Sequence, residues 1–380
     1  MEIFKYLRPR GNNPGIDPIY RRVFSRVALV CRFFCSVMLP WIFEFMEFSG
    51  KNPNGSLDFN HAPFCRSIIR GCGSARTMAT YVKRCSFSDW IQFGNDDSTP
   101  SWFNTEFQTL YSKALAFMPN IEELTLKRIH INKHLLKSIM ELKSLTSLSL
   151  EFCRIGEVKA KDIRKLSILQ LKHLRFSGSP RISVNEETLL ISQSLYLDSL
   201  LTLHTDYWPF VTRIAEQNCH LPLQELDIVA VLDVEMLPKI FQKTPALKTL
   251  RISSTEFSSK HDVQFDDVLL PALDELCCPL SLLRSLVPGR PIQSIEIRES
   301  SSKETTDIQS FFKKSIRKIR SLCVPIHVYW TIPFWEHFSD LKSLRLESIA
   351  TPPNRRFPLT EQFLEKVFTN IILAFCEIPI

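Results

Sequence analysis

Residues 121–126 read Ile-Glu-Glu-Leu-Thr-Leu, and residues 145–150 repeat this pattern as Leu-Thr-Ser-Leu-Ser-Leu. Both segments have the form L-x-x-L-x-L, in which L is any aliphatic or similar residue. Eight further segments of this form, two of them degenerate, begin at Leu171, Asp198, Leu223, Leu247, Leu273, Ile292, Ile319 and Leu341. The first positions of the ten segments are spaced by 19 to 27 residues, about 24 on average. A repeating structural unit is therefore expected.

This period is similar to that of leucine-rich repeats, in which each unit supplies one short strand and one helix or 3₁₀ turn. A single unit cannot cover its own apolar face, so neighbouring units stack. The segment after the first unit supports this, because Leu135, Ile139 and Leu142 keep the spacing of one helix face. The asparagine that usually follows the strand is missing from its regular place. We predict an α/β leucine-rich-repeat solenoid over residues 49–380.

Two features are expected at the start of the solenoid. Val82, Cys85 and Phe87 form a further strand-like segment. Residues 89–105 contain Gly94-Asn95-Asp96-Asp97 and Pro100, which predict an inserted surface loop.

Residues 1–48 differ in character and predict a small all-α module. Ile3, Phe4 and Leu7 would line one side of a first helix. A second helix would carry four residues on one side and would end or change direction at Pro40. The four residues are Val27, Val30, Cys31 and Phe34.

Three strings in this module resemble the F-box: Glu-Ile-Phe-Lys-Tyr-Leu at 2–7, Val-Ala-Leu-Val-Cys-Arg-Phe-Phe at 27–34 and Leu-Pro-Trp-Ile-Phe at 39–43. The L-V-C-R-x-F core and the following L-P-x-x-F are similar to F-box proteins of filamentous fungi that carry degenerate leucine-rich repeats. The usual opening Leu-Pro is missing, and the first loop is longer than in the family.

This resemblance implies the substrate-recognition subunit of an SCF-type ubiquitin ligase. The F-box would dock on a Skp-type adaptor, and through it on a cullin, while the repeats bind a protein substrate. The residues expected to bind the adaptor are Ile3, Leu7, Leu29, Val30, Cys31, Phe34 and Pro40. The missing Leu-Pro keeps an alternative open, a leucine-rich-repeat scaffold or binding protein without ubiquitin-ligase association.

Substrate contacts are expected from strand residues between the inward apolar positions, because side chains of a strand alternate in direction. The ten central positions are Thr125, Ser149, Arg175, Thr202, Asp227, Arg251, Cys277, Glu296, Cys323 and Arg345. Of these, the charged residues Arg175, Asp227, Arg251, Glu296 and Arg345 are the predicted substrate-binding residues. Their mixed charges favour a protein partner over a nucleic acid.

The sequence does not favour an enzyme. It contains none of the motifs G-x-x-x-x-G-K-[ST], G-x-G-x-x-G, H-E-x-x-H or G-x-S-x-G. We predict no catalytic, cofactor-binding or metal-binding residues. Substrate modification would then depend on proximity alone.

Composition and charge bear on location. The charged fraction of 23% and the hydrophobic fraction of 44% are ordinary for a globular protein. Eleven cysteines without regular spacing favour a reducing cytoplasmic or nuclear compartment. Arg32, Pro40 and Glu44 disfavour a membrane span over 27–48.

The net charge of +7 is mildly basic, and it includes a basic run over 313–320. This run is compatible with a nuclear import signal, a phosphate contact or the solvated face of a repeat helix. The helix is the favoured interpretation, with an apolar side formed by Phe311, Phe312, Ile316 and Ile319.

Overall fold

The computed structural model describes residues 18–50, 61–90, 102–156, 158–178, 186–255, 265–266, 268–298, 312, 314–325 and 340–347. The chain divides into two compact units, Met1–Arg213 and Ile214–Ile380, here called unit 1 and unit 2. Ile3 and Leu7, predicted to bind the adaptor, lie outside the described residues.

Unit 1 begins with two helices, α1 (Pro18–Ala28) and α2 (Arg32–Phe43). They pack through Phe24, which is 5% exposed and meets the Trp41 ring edge-on at 5.5 Å between ring centroids. Helix α2 continues through Pro40 for three more residues. The expectation that Pro40 ends or redirects the helix was therefore wrong.

The expected single helix through Val27 and Phe34 is also wrong, since the chain turns between α1 and α2. The amides of Leu29 and Val30 donate to carbonyls three residues back, at 3.2 and 3.1 Å. These bonds close a tight turn, and Cys31 then adopts extended backbone with φ −160° and ψ 170°. Helix α1 therefore ends before this turn, and α2 begins after it.

The strands of unit 1 form a parallel sheet. In order they are β1 (Phe45–Ser49), β2 (Arg84–Ser88), β3 (Glu123–Lys127), β5 (Ser147–Glu151), β7 (His173–Ser177) and β8 (Thr202–Thr205). Each strand buries two alternate residues on one face. In register, the first of these residues are Met46, Cys85, Leu124, Leu148, Leu174 and Leu203.

The segments between and after these strands contain seven described helices and two short strands. The helices are α3 (Ala62–Arg70), α4 (Gly73–Ala79), α5 (Trp102–Leu115), α6 (Lys133–Met140), α7 (Ala160–Ile163), α8 (Glu186–Ser194) and α9 (Trp208–Glu216), the last of which contains the division between the units. Two short strands, β4 (His130–Ile131) and β6 (Arg154–Ile155), pair parallel to each other. Helix α6 buries Leu135 and Ile139 as predicted, and it also buries Leu136.

Unit 2 repeats this arrangement, again with parallel pairing. Its described strands are β9 (Glu225–Val231), β10 (Thr249–Thr255), β11 (Glu275–Cys278), β12 (Ser294–Ile297), β13 (Ser321–Pro325) and β14 (Ser343–Glu347). Its described helices are α10 (Leu237–Lys243) and α11 (Leu280–Leu286). One parallel strand per repeat, with helices between the strands of unit 1 and between two strand pairs of unit 2, confirms the predicted α/β leucine-rich-repeat fold.

Three turns of unit 1 share a left-handed residue directly after the strand. Asp89, Arg128 and Phe152 have φ of 62°, 51° and 54°. Their amides donate at 2.7 to 3.0 Å to the carbonyl of the last residue of the next strand. A non-glycine residue at positive φ costs about 1 kcal/mol or more, so these bonds must offset strain.

Two side chains take the role expected of asparagine, which in the repeat follows the last apolar strand residue by three positions. At this place the Trp90 indole N–H donates to the Phe48 carbonyl at 2.9 Å, and the Cys153 thiol donates to the Leu126 carbonyl at 3.1 Å. Each joins a turn to the preceding repeat.

The remaining differences from prediction are local. Strand β1 begins the sheet inside the segment predicted as 1–48, because Met46 and Phe48 take repeat positions. Helix α5 begins at Trp102, within the loop predicted over 89–105.

The helix predicted over 311–320 is not found at residues 314–320, which form turns and bends. The Ser315 hydroxyl and the Ile316 amide both donate to the Arg290 carbonyl at 3.0 Å. Ile316, predicted on the apolar side, is 69% exposed.

Candidate functional site

Unit 1 exposes an apolar surface at the turn between α1 and α2. Leu29 is 85% exposed, Val30 69% and Phe33 61%. We call these three residues the apolar corner. Clusters of large, highly exposed apolar side chains are uncommon on protein surfaces and often mark interaction sites. The corner is therefore a candidate interaction surface.

The predicted adaptor-binding residues are distributed unequally around this corner. Leu29, Val30 and Cys31 are exposed at the turn. Phe34 is half-buried, and its ring meets that of Phe33 at 5.6 Å. Pro40 is half-buried nine residues beyond Cys31, about 13 Å along a helix axis, so it does not join the corner.

The two helices that flank the apolar corner carry positive charge. Residues 18–43 contain four arginines and no aspartate or glutamate. Arg22, Arg26 and Arg32 are exposed. A partner that covers the corner would therefore gain from carboxylates around an apolar centre.

A second candidate surface is the polar face of each sheet, formed by the strand residues that lie between the buried positions. In unit 1 the central row consists of Glu47, Ser86, Thr125, Ser149, Arg175 and His204. Thr202 was expected in this row, but it pairs with His173, and His204 pairs with Arg175. The central row of unit 2 consists of Asp227, Arg251, Cys277, Glu296, Cys323 and Arg345, as predicted.

The predicted substrate-binding arginines lie on this face in ion pairs. Arg175 Nε lies 3.1 Å from Glu151 Oε1. Arg251 pairs with Glu225, and its Nη2 lies 3.5 Å from Glu275 Oε2. These carboxylates belong to neighbouring strands and hold each guanidinium in place.

The residues of the central row of unit 2 from Cys277 to Arg345 belong to a mixed cluster of acidic, basic and thiol side chains. Glu296 pairs with Arg298 at 2.8 Å, and Arg345 pairs with Glu347 at 2.8 Å. Arg298 Nε also donates to Cys277 Sγ at 3.0 Å. Glu225, Glu275, Arg298 and Glu347 were missed from the sequence because only one position per strand was considered.

Two cysteines form the floor of this cluster. Cys277 is 5% exposed and Cys323 is 8% exposed. Burial raises the pKa of each thiol to about 11. Both thiols are therefore protonated at neutral pH.

The basic run over 313–320 is partly neutralised within unit 2. Lys318 Nζ lies 2.6 Å from Asp340 Oδ2.

Among the described residues, no helix combines the length and apolar character needed to cross a membrane.

No protein-family model and no curated protein matches this chain. Among solved structures, the chain is similar to an internalin of Listeria monocytogenes, with a TM-score of 0.36, 11% identity, and coverage of 77% of this chain and 91% of that chain. It is also similar to a leucine-rich-repeat protein of Leptospira interrogans, with a TM-score of 0.32, 11% identity, and coverage of 86% and 99%.

Proposed function

We propose that this chain is the substrate-recognition subunit of an SCF-type ubiquitin ligase, in which the apolar corner docks on a Skp-type adaptor. The observation that carries the proposal is the exposure of Leu29, Val30 and Phe33 together. These residues fall within the L-V-C-R-x-F string of the F-box resemblance.

Burial of the corner supplies the binding energy in this proposal. Covering three large apolar side chains contributes on the order of 1.5–3 kcal/mol each, before the cost of association. The exposed arginines of α1 and α2 would attract carboxylates of the adaptor and would speed association.

The polar faces would bind the protein substrate. Arg175, Asp227, Arg251, Glu296 and Arg345 are the proposed contacts. Ion pairing supports this role for Arg175, Arg251 and Arg345, because a guanidinium held by a neighbouring carboxylate loses less side-chain entropy on binding. No acid, base or nucleophile of this chain is required, since holding the substrate near the charged ubiquitin carrier raises its effective concentration.

The test is a pull-down of the full chain with a purified Skp-type adaptor, comparing wild type with Leu29→Asp. Because Leu29 is 85% exposed, the substitution leaves the fold intact, and adaptor binding is expected to fall at least about tenfold. The matched control is Ile168→Asp, since Ile168 is 71% exposed and lies outside the corner.

Binding by the control and not by Leu29→Asp supports the proposal. A folded wild type that does not bind the adaptor overturns it and leaves a leucine-rich-repeat scaffold without ligase association. Equal binding by Leu29→Asp and wild type would show that the adaptor does not dock at the corner.

A further inference from the structure

Three side chains of unit 2 meet on the polar face with donor atoms suited to a metal ion. Glu296, Cys323 and Glu347 come from β12, β13 and β14. Their carboxylate oxygens and thiol sulfur all lie within 4.8 Å of one another. Among the described residues, no other group of three or more acidic, cysteine or histidine side chains is this close.

The sheet register brings these residues together. Glu296 pairs with Cys323, and Cys323 pairs with Arg345 on the next strand. Glu347 lies two residues beyond Arg345, so it points to the same face. Cys323, 8% exposed, forms the floor, and the two half-buried glutamates stand on either side.

We propose that Glu296, Cys323 and Glu347 bind a divalent metal ion of borderline softness, of the zinc class. A thiolate sulfur with two carboxylate oxygens suits such an ion, whereas calcium and magnesium take oxygen ligands. Three protein ligands leave one position of a tetrahedral ion open to water or to a side chain of a partner.

With a divalent ion bound, the charges of the cluster nearly cancel. With Cys323 ionised, the three ligands carry three negative charges, and Arg298 and Arg345 lie beside the two carboxylates. Each carboxylate has two oxygens, so one can bind the ion while the other keeps its arginine.

Binding must displace the thiol proton. A metal-ligating thiol must be deprotonated, so metal binding competes with protonation of Cys323 and strengthens as pH rises. One proton should be released for each ion bound.

Cys277 provides a matched control. It lies on the same face, with similar burial and a pKa also raised to about 11. It is separated from Cys323 by strand β12, hence by about 9.5 Å between strand axes, which is too far for it to complete the same coordination sphere. Arg298 and Glu296 both contact the Cys277 thiol, so replacing Cys277 should change the affinity only modestly and should leave the thiolate-to-metal band in place.

The experiment titrates the reduced full chain with cobalt(II) alone and records thiolate-to-cobalt charge-transfer absorption. We expect a band that is abolished in Cys323→Ser and retained in Cys277→Ser. Absence of the band in wild type, or its persistence in Cys323→Ser, would overturn the proposal.

A second pair of variants keeps the test decisive if Cys323→Ser fails to fold. Glu296→Gln and Glu347→Gln preserve shape and remove one anionic ligand each. Each should weaken cobalt binding by at least about tenfold while the charge-transfer band remains at saturation. Unchanged affinity in both variants would exclude the site.

Discussion

Unit 1 and unit 2 are built from the same strand–turn–helix repeat, but they hold their turns by different groups. In unit 1 the left-handed residues Asp89, Arg128 and Phe152 bond strand to strand, and Trp90 and Cys153 donate to the preceding repeat. Among the described residues of unit 2, the Ser254 hydroxyl donates to the Val229 carbonyl of the preceding strand, and one buried arginine bonds carbonyls between β10 and β12. The comparison teaches that the repeat requires its turn carbonyls to be satisfied and does not require asparagine to do so.

That arginine is Arg290, which is fully buried. Its guanidinium donates to the carbonyls of Asp266, Leu269, Ser285 and Pro288 at 2.9 to 3.1 Å. It therefore ties the segment before β11 to the segment after α11.

Replacing Arg290 should give the largest change in stability. We expect Arg290→Met to lower the free energy of unfolding of unit 2 by about 3 kcal/mol or more, because four carbonyl oxygens lose a buried donor. Amide hydrogen exchange measured at increasing urea concentrations should show that peptides of β10 to β12 lose protection from exchange first.

Arg317→Met is the matched control, since Arg317 is exposed, and it should change stability by less than about 0.5 kcal/mol. Equal destabilisation by the two variants would contradict the structural role of Arg290.

Alkaline pH should lower the free energy of unfolding of both units. Burial raises the thiol pKa of Cys65 and Cys153 to about 12 in unit 1, and that of Cys277 and Cys323 to about 11 in unit 2, from a usual 9.0. Because the folded state holds these protons more tightly, their stabilisation is complete below pH 9 and is lost as pH rises towards 11 or 12. Urea midpoints measured from pH 8 to 11 should fall, and a rising midpoint would contradict this.

A smaller change is expected from Cys153→Ala in unit 1. Loss of the thiol leaves the Leu126 carbonyl without this donor, and we expect about 1–2 kcal/mol of destabilisation. Cys72→Ala is the control, since Cys72 is exposed and lies in the same unit. Thermal unfolding of both variants distinguishes a structural thiol from a neutral one, and equal melting temperatures would show that the bond contributes nothing.

Sequence periodicity predicted the apolar rows because buried strand residues recur with little variation in chemistry. It placed the β8 repeat two residues out of register, since Leu200, Leu201 and Leu203 fit two frames. The last buried position of that strand is Thr205, whose hydroxyl accepts the Tyr207 amide at 2.9 Å. A polar residue satisfied locally in this way is invisible to an apolar pattern.

The polar clusters were harder to predict because their members come from different repeats. Glu296, Cys323 and Glu347 are separated by 27 and 24 residues, so no local spacing connects them. The turn between α1 and α2 was missed for a related reason, since the apolar pattern of residues 27–34 is compatible with an unbroken helix.

Amide hydrogen exchange of the full chain, with and without the Skp-type adaptor, tests adaptor docking at the apolar corner most directly. The first amides of a helix have no intrahelical acceptor, so exchange near residues 31–34 should be fast in the free chain. We predict that adaptor slows exchange in peptides covering 29–34 and leaves peptides covering 166–170 unchanged. Unchanged exchange at 29–34 in a chain saturated with adaptor would contradict docking at the corner.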